Sequence, residues 1–345
     1  MSFKPQTINN KLQTTNNKQQ TTNNKKMNQT TNSILMIRPV AFRMNEQTAV
    51  NNYYQKVLDG LTPETVNAKA QEEFDTFVNK LKMVGVDVNV VNDTVNPDTP
   101  DSIFPNNWIS FHENGDVVLY PMFAENRRAE RREDILDILE ENGFEINEGI
   151  MDYTAAEEDG FYLEGTGSIV LDRENGKAYC ALSPRADEEL FIEFCEDFDL
   201  NPIIFEAFQT VNLPNGKADG ERKLIYHTNV MMCIGDSFAV ICADCIDDKK
   251  ERKMVLDSLK ADGKEIILIT EDQMNNFAGN MLELQGSDER RYLIMSTSAH
   301  KSLTKKQIAQ LEEHITILSS SLDTIEACGG GSARCMMAEI FLPKN

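Results

Sequence analysis

A recurrence of about sixty residues constrains this chain more than any other feature. Amphipathic helices, read from apolar spacing and end signals, begin near residues 63, 127, 187, 248 and 304. The first opens on Thr62-Pro63-Glu64, carries Val66, Ala70, Phe74, Phe77 and Leu81 on one face, and stops at Gly85. The others are expected over roughly 127–142, 187–198, 248–262 and 304–318. Each is followed by a short β-rich run, at 86–91, 144–146, 203–208, 265–269 and 324–327, and further runs precede helices, as at 116–120, 168–171, 178–182, 238–243 and 292–295. A unit of strands plus one helix, used five times, predicts an α/β fold closed into a ring: a five-bladed, pseudo-fivefold α/β propeller with sheets inside and helices outside. A doubly wound sheet accommodates strand pairs between helices poorly.

The polar segments that punctuate this pattern keep the same period. They read Phe104-Pro-Asn-Asn-Trp108, Leu163-Glu-Gly-Thr-Gly167, Tyr226-His-Thr-Asn229, Asn280-Met-Leu-Glu283 and Gly329-Gly-Gly-Ser-Ala-Arg-Cys335. With Asn107, Glu164, His227, Asn280 and Cys335 as markers, each unit aims one polar residue at the same end of the axis. Residues far apart in sequence would converge there. Three glycines before Cys335 permit close backbone approach, and backbone N–H groups with the adjacent Arg334 would favour a thiolate. Beside such a thiol His227 becomes a candidate general acid and base, and Glu164, between apolar neighbours, an inward hydrogen-bonding carboxylate.

Other motifs read as structural. Cys242-Ala-Asp-Cys245 matches a CxxC pattern but lies in a hydrophobic strand without a second ligand pair, so no metal is expected. His112, His300 and His314 read as surface or helix positions. Arg127, Arg128, Arg131 and Arg132 read as a solvated helix face beside neighbouring acids. Gly165-x-Gly167 lacks the third glycine and following helix of a dinucleotide fingerprint.

Composition limits the partners. The chain has 345 residues and a formal charge of -22; residues 1–33 hold five lysines and no acid, leaving about -27 on the rest. Such an acidic surface disfavours nucleic acid and anionic membranes, and no run of eighteen apolar residues suggests a span. Seven scattered cysteines without a secretory signal suit reduced thiols and a cytoplasmic protein. Residues 1–33 are rich in Asn, Gln, Thr and Lys, with QTTNNK at 13–18 repeated at 20–25, and are expected to be a disordered tail ahead of one catalytic domain at 34–345.

In this order the motifs resemble the guanidino-group-modifying, amidinotransferase or pentein, superfamily, which includes arginine deiminase, dimethylarginine hydrolase, agmatine deiminase and glycine amidinotransferase. The likeness runs from about Ile34 to Pro343, and ILMIRPVAF, FPNNW, LEGTGS, HTNV and GGGSARCM look closest to the citrulline-utilisation hydrolase branch. The resemblance implies the propeller, a Cys-His-Glu site and no metal or organic cofactor. Cys335 would attack the planar carbon of a guanidino or ureido group, His227 would protonate the departing amine and then activate water, and Glu164 would orient the group. Arg185 matches an arginine that relatives use near the substrate carboxylate.

Deiminases place aspartates where this chain has Asn107, or Asn106, and Asn229. Amides in place of two carboxylates weaken a guanidinium site and suit a neutral ureido group. The expected reaction is therefore citrulline to ornithine, ammonia and carbon dioxide, on a small-molecule amino-acid substrate, by a chain that is a possible homo-oligomer. Three rivals stand beside it. One is an arginine or dimethylarginine hydrolase that regains an acid from Asp101. The others are an amidinotransferase using the same residues and a non-catalytic amino-acid-binding propeller.

Overall fold

The computed structural model describes residues 27–147, 149–212 and 218–345, with side chains omitted for 212–221. Five three-stranded sheets share one connectivity, and a two-stranded hairpin, Phe208–Asn212 with Ala218–Leu224, stands beside them. In each three-stranded sheet, an antiparallel strand pair is extended by a third strand parallel to the middle one. Ile109–Phe111, Val117–Leu119 and Ile150–Asp152 form one. Ile169–Asp172, Lys177–Leu182 and Asn201–Glu206 form the next, followed by Met232–Ile234, Phe238–Ile241 and Glu265–Leu268, then Leu282–Gln285, Arg291–Ser296 and Thr316–Ser320. The fifth joins the two ends of the chain: Ser33–Arg38 pairs antiparallel with Ala338–Glu339 and parallel with Asp87–Asn92.

A parallel pair needs a crossover, and the amphipathic helices supply it. Pro63–Met83 is capped by Thr62, has proline at its first position and ends before Gly85 at φ +83°. Glu188–Asp197 and Lys249–Ala261 are capped by Asp187 and Asp248. Lys305–Glu312 has a capping box of Thr304 with Gln307. Their apolar faces are buried; Val66, Ala70, Phe74, Phe77 and Leu81 of the first helix all lie in one core cluster.

Three expectations need correction. The helix expected over 127–142 is two pieces, Glu125–Arg128 and Asp134–Glu141, and the strand after it is Ile150–Asp152; Phe144 makes only an isolated bridge to Lys344. The fifth helix stops at Glu312, so that Thr316–Ser320 is free to pair with Arg291–Ser296. The run at 324–327 lies in a helix, Asp323–Gly329, whose first turn is held by Glu73 accepting from the N–H groups of Thr324 and Ile325.

Residues 1–26 of the expected tail lie outside the described residues. Residues 28–33, assigned with them to the tail, are placed: Gln29 donates to the carbonyls of Leu171 and Ile234 at 3.0 and 3.3 Å and accepts the Arg173 N–H at 2.8 Å. No helix among the described residues is long and apolar enough to cross a membrane.

Candidate active site

The third strand of each sheet leads into the first strand of the next through a connection that ends in a polar segment, and between Glu206 and Met232 this connection includes the two-stranded hairpin. Each marker residue stands just before such a strand: Asn107 before Ile109, Glu164 before the turn into Ile169, His227 before the turn into Met232, Asn280 before Leu282, and Cys335 before Ala338. Equivalent positions in equivalent units bring five polar side chains together, and all five are buried.

Cys335 sits in the short turn Ala333–Met336. Asn280 donates to its Sγ at 3.2 Å and to the Asn229 carbonyl at 3.0 Å, and accepts the Arg334 N–H at 3.0 Å. The Asn229 amide lies 3.6 Å from Sγ and donates to the Thr166 carbonyl. With its donors engaged in this way, Asn280 holds the nucleophile loop and is absent from the cavity that Cys335 lines. The glycines give Cys335 its approach: a Cβ on Gly329 or Gly331 would fall 2.7 or 2.9 Å from the Phe104 ring. The Arg334 guanidinium does not face the thiol; it bonds the Met337 carbonyl and Glu339.

His227 shares a 2.7 Å hydrogen bond between Nε2 and Glu164 Oε2. Burial pushes the imidazole down to about 4, against the pull of Glu164, so it is neutral near pH 7. Burial would raise Glu164, but Arg185, His227 and Arg127 outweigh it and hold the carboxyl at about 2. A carboxylate only accepts, so the neutral ring donates Nε2–H to Glu164 and keeps the Nδ1 lone pair free for a proton. If His227 is the base, the acid limb of the free enzyme's kcat/KM falls below pH 5; a limb at the ordinary histidine value of 6.5 would contradict this.

Gly167 makes room on the Nδ1 side. A Cβ there would lie 2.8 Å from Nδ1 and 2.4 Å from Asn107 Nδ2. Gly167→Ala therefore displaces both groups, and the expected loss is about 100-fold in kcat/KM with little change in folding, read by steady-state kinetics beside a thermal melt.

Two buried guanidiniums flank Glu164. Arg185 Nη1 is 3.5 Å from Oε2, and the same side chain donates to the Thr48 carbonyl at 2.8 Å and to Asn51 Oδ1. Arg127 stands 4.0 Å from Oε2, pairs through two nitrogens with Glu130 at 2.9 Å, and donates to Asn107 Oδ1 at 2.7 Å. The solvated-face reading of this arginine cluster is thus corrected. Arg128 and Arg131 both pair with Glu157, and Arg132 pairs with Asp134 and reaches the Asn92 carbonyl. His112 is also buried, with Nε2 2.8 Å from Ser110 Oγ and its ring stacked on Phe198.

Asn107, not Asn106, lines the cavity; Asn106 turns to Thr166 and accepts from Asn107 Nδ2. That bond uses one of the two Asn107 N–H donors and leaves the other. Asp101 lines the same cavity. Its Oδ2 accepts from Asn45 and Thr48 at 2.8 and 3.0 Å, while its buried Oδ1 has no partner. Burial raises this carboxyl, opposed by Arg127 and by the Asn45 and Thr48 hydrogen bonds.

Sequence reasoning missed the cover. Residues 45–56 lie over the cavity, with Asn52 and Gln55 donating to the Gly329 carbonyl at 3.3 and 3.0 Å and Lys56 N–H to the Ala327 carbonyl. The space left for water inside is about 10 Å³, lined by Thr48, Asn52, Tyr226, Gly329 and groups described above. This polar stretch has no periodicity by which its placement could be read. The Cys242 and Cys245 sulfurs are 2.8 Å apart and unbonded, both buried, and no cluster of three or more His, Cys, Asp or Glu suited to a metal exists among the described residues.

Together the fold and family place this chain among the pentein, amidinotransferase-type proteins. More particularly, residues 38–342 match the family described as N,N dimethylarginine dimethylhydrolase, eukaryotic, and the chain belongs to that family. Among solved structures it is similar to ArgZ, an arginine dihydrolase from the ornithine–ammonia cycle in cyanobacteria, at 16% identity and TM-score 0.67, covering 91% of this chain and 41% of that one. The substrate-bound N-terminal domain of ArgZ matches at 16% identity and TM-score 0.65, over 89% of this chain and 97% of the domain. A dimethylarginine dimethylaminohydrolase adduct with S-methyl-L-thiocitrulline matches at 15% identity and TM-score 0.57, over 89% and 99%. This chain therefore spans about two fifths of full-length ArgZ and nearly all of its N-terminal domain. No curated protein matches significantly in sequence.

Proposed function

We propose that this chain hydrolyses the guanidino group of arginine at Cys335 and carries the reaction through the ureido stage, as an arginine dihydrolase on a five-bladed propeller. The supporting observation is the mixed lining of one narrow cavity. A carboxylate oxygen without a partner, Asp101 Oδ1, answers the want of an anion that first pointed to citrulline alone, and the spare amide donor of Asn107 suits a ureido oxygen. The family membership favours a guanidino starting point.

The chemistry follows from the proton inventory. Nδ1 of neutral His227 takes the thiol proton, and Sγ attacks the guanidino carbon. The imidazolium, stabilised by ionised Glu164, returns the proton to the departing nitrogen, and ammonia leaves an S-alkyl isothiouronium on Cys335. Water, giving its proton to His227, attacks that carbon, and expulsion of Sγ yields the ureido compound. A second round expels a second ammonia and leaves a thiocarbamate. Its hydrolysis gives a carbamate, which loses carbon dioxide. The sum is arginine and two waters to ornithine, two ammonia and one carbon dioxide. Arg185 is the group proposed to hold the α-carboxylate.

The family match favours a second reading, in which dimethylamine is the first leaving group and the reaction stops at citrulline. Rates on arginine, N,N-dimethylarginine and citrulline, for the wild type and Asp101→Asn, separate these. The proposal expects turnover of arginine and citrulline, with the arginine kcat/KM reduced about 10- to 100-fold more than the citrulline value by the substitution, as befits loss of a charged hydrogen bond. Turnover of N,N-dimethylarginine alone would replace it by the second reading.

A further inference from the structure

A second, partly open cavity is lined in part by Asn229, whose amide lies 3.6 Å from the Cys335 thiol. Val170, Leu171, Met232, Ile234, Met281 and Leu282 supply its apolar wall, and Arg173, Arg334, Glu283 and Glu339 its charges. Three of these charges are matched. Arg334 pairs with Glu339 at 2.8 Å, and Glu283 pairs with Arg291 at 3.2 Å and accepts the Asp236 N–H. Arg173 is the exception. It is 6% exposed, its guanidinium stacks 4.0 Å over the Phe341 ring, and no acceptor bonds that guanidinium among the described residues. Burial lowers its pKa, with Glu339 and Tyr120 opposing, as expected for a cation without a direct partner. Aromatic contact attracts a cation but does not neutralise it, and the guanidinium nitrogens, which lack an acceptor yet keep a little solvent contact, leave their N–H groups available to a ligand.

We propose that this cavity is a binding site for a small planar monoanion of bicarbonate size, held by the Arg173 guanidinium. The fork of a guanidinium matches two oxygens of one planar oxyanion, and the apolar walls favour a weakly hydrated anion over phosphate or sulfate. Bicarbonate is also what released carbon dioxide becomes in water, so a site for it behind the nucleophile loop makes the cavity a place where product can bind. That last point rests on the proposed reaction; the anion site itself does not.

The test is anion binding by the full chain in Cys335→Ala, which removes turnover. ¹³C-bicarbonate line width and thermal melting are followed at constant pH and ionic strength, with nitrate as the planar competitor and chloride as the spherical one. The expected result is a broadened bicarbonate signal that nitrate restores, with a rise in Tm. Both are absent after Arg173→Met, which is itself as stable as its parent in anion-free buffer because an unpaired cation has been replaced by an apolar chain. Equal broadening and equal Tm shifts in both proteins would overturn the site, as would no response in either, or a large loss of stability in anion-free Arg173→Met. Preference for chloride over both planar ions would overturn the ligand class. Activity enters none of these readouts, so failure of the arginine reaction leaves the result interpretable.

Discussion

Cys335→Ala is expected to remove turnover on every substrate, by about 10⁴-fold or more in kcat, while leaving the melting temperature within a few degrees of wild type. The two parts have different causes. Loss of the sulfur removes the only route to the covalent intermediate, and the remaining groups cannot substitute, as in other nucleophile–base pairs that work as a unit. The fold should tolerate the change because Sγ is contacted chiefly by amides of Asn280 and Asn229, whose other bonds to the Asn229 and Thr166 carbonyls and from the Arg334 N–H remain. Intact-mass spectrometry with a haloacetamidine provides the matching control. A single adduct on Cys335, blocked by substrate, is expected in the wild type and no adduct in the variant; an active variant would remove Cys335 from the mechanism.

Glu164→Gln should be the most damaging change that keeps side-chain shape. The carboxylate Oε2 accepts from His227 at 2.7 Å and faces Arg185 at 3.5 Å and Arg127 at 4.0 Å. Arg127 retains Glu130, but the other Arg185 acceptors are neutral, the Thr48 carbonyl and Asn51 Oδ1. Breaking a buried pair by removing one charge costs about 3–5 kcal/mol, so a large drop in Tm is expected. Catalysis should fall by about 10³-fold, because a neutral amide still accepts Nε2–H but no longer stabilises the imidazolium formed in each transfer. Arg185→Met in the same background should recover part of the lost stability and none of the rate. Recovery of neither would show that the arginine is not what Glu164 balances.

The sixty-residue period carried much of the architecture, because a helix that must cross between parallel strands shows its apolar face and its caps in sequence. The crossover helices near 63, 187, 248 and 304 and the positions of Asn107, Glu164, His227, Asn280 and Cys335 ahead of successive strands were legible for that reason, whereas the second helix is broken after Arg128. Short β segments were less so. Residues 324–327 read as a strand from β-branched content, yet their first N–H groups are taken by Glu73 of a distant helix, and the segment turns helical. Arg127 was misread because charge patterning on a helix is silent about which side meets a neighbour; its partners Asn107 and Glu164 stand in the segments that enter and leave its own sheet. His112 was missed likewise, since burial against Phe198 leaves no local sign. Residues 45–56 and Gln29 act through side-chain amides on carbonyls more than a hundred residues away, contacts without periodicity.

The substrate reading is open to one direct measurement. Purified protein is incubated with arginine carrying ¹³C at the guanidino carbon, and the label is followed by NMR while ammonia and ornithine are counted. A dihydrolase moves the label into bicarbonate, with two ammonia for each ornithine and a ureido carbon signal that rises and decays. Label that accumulates in the ureido carbon and stays there, or that never leaves the guanidino carbon, would contradict the account.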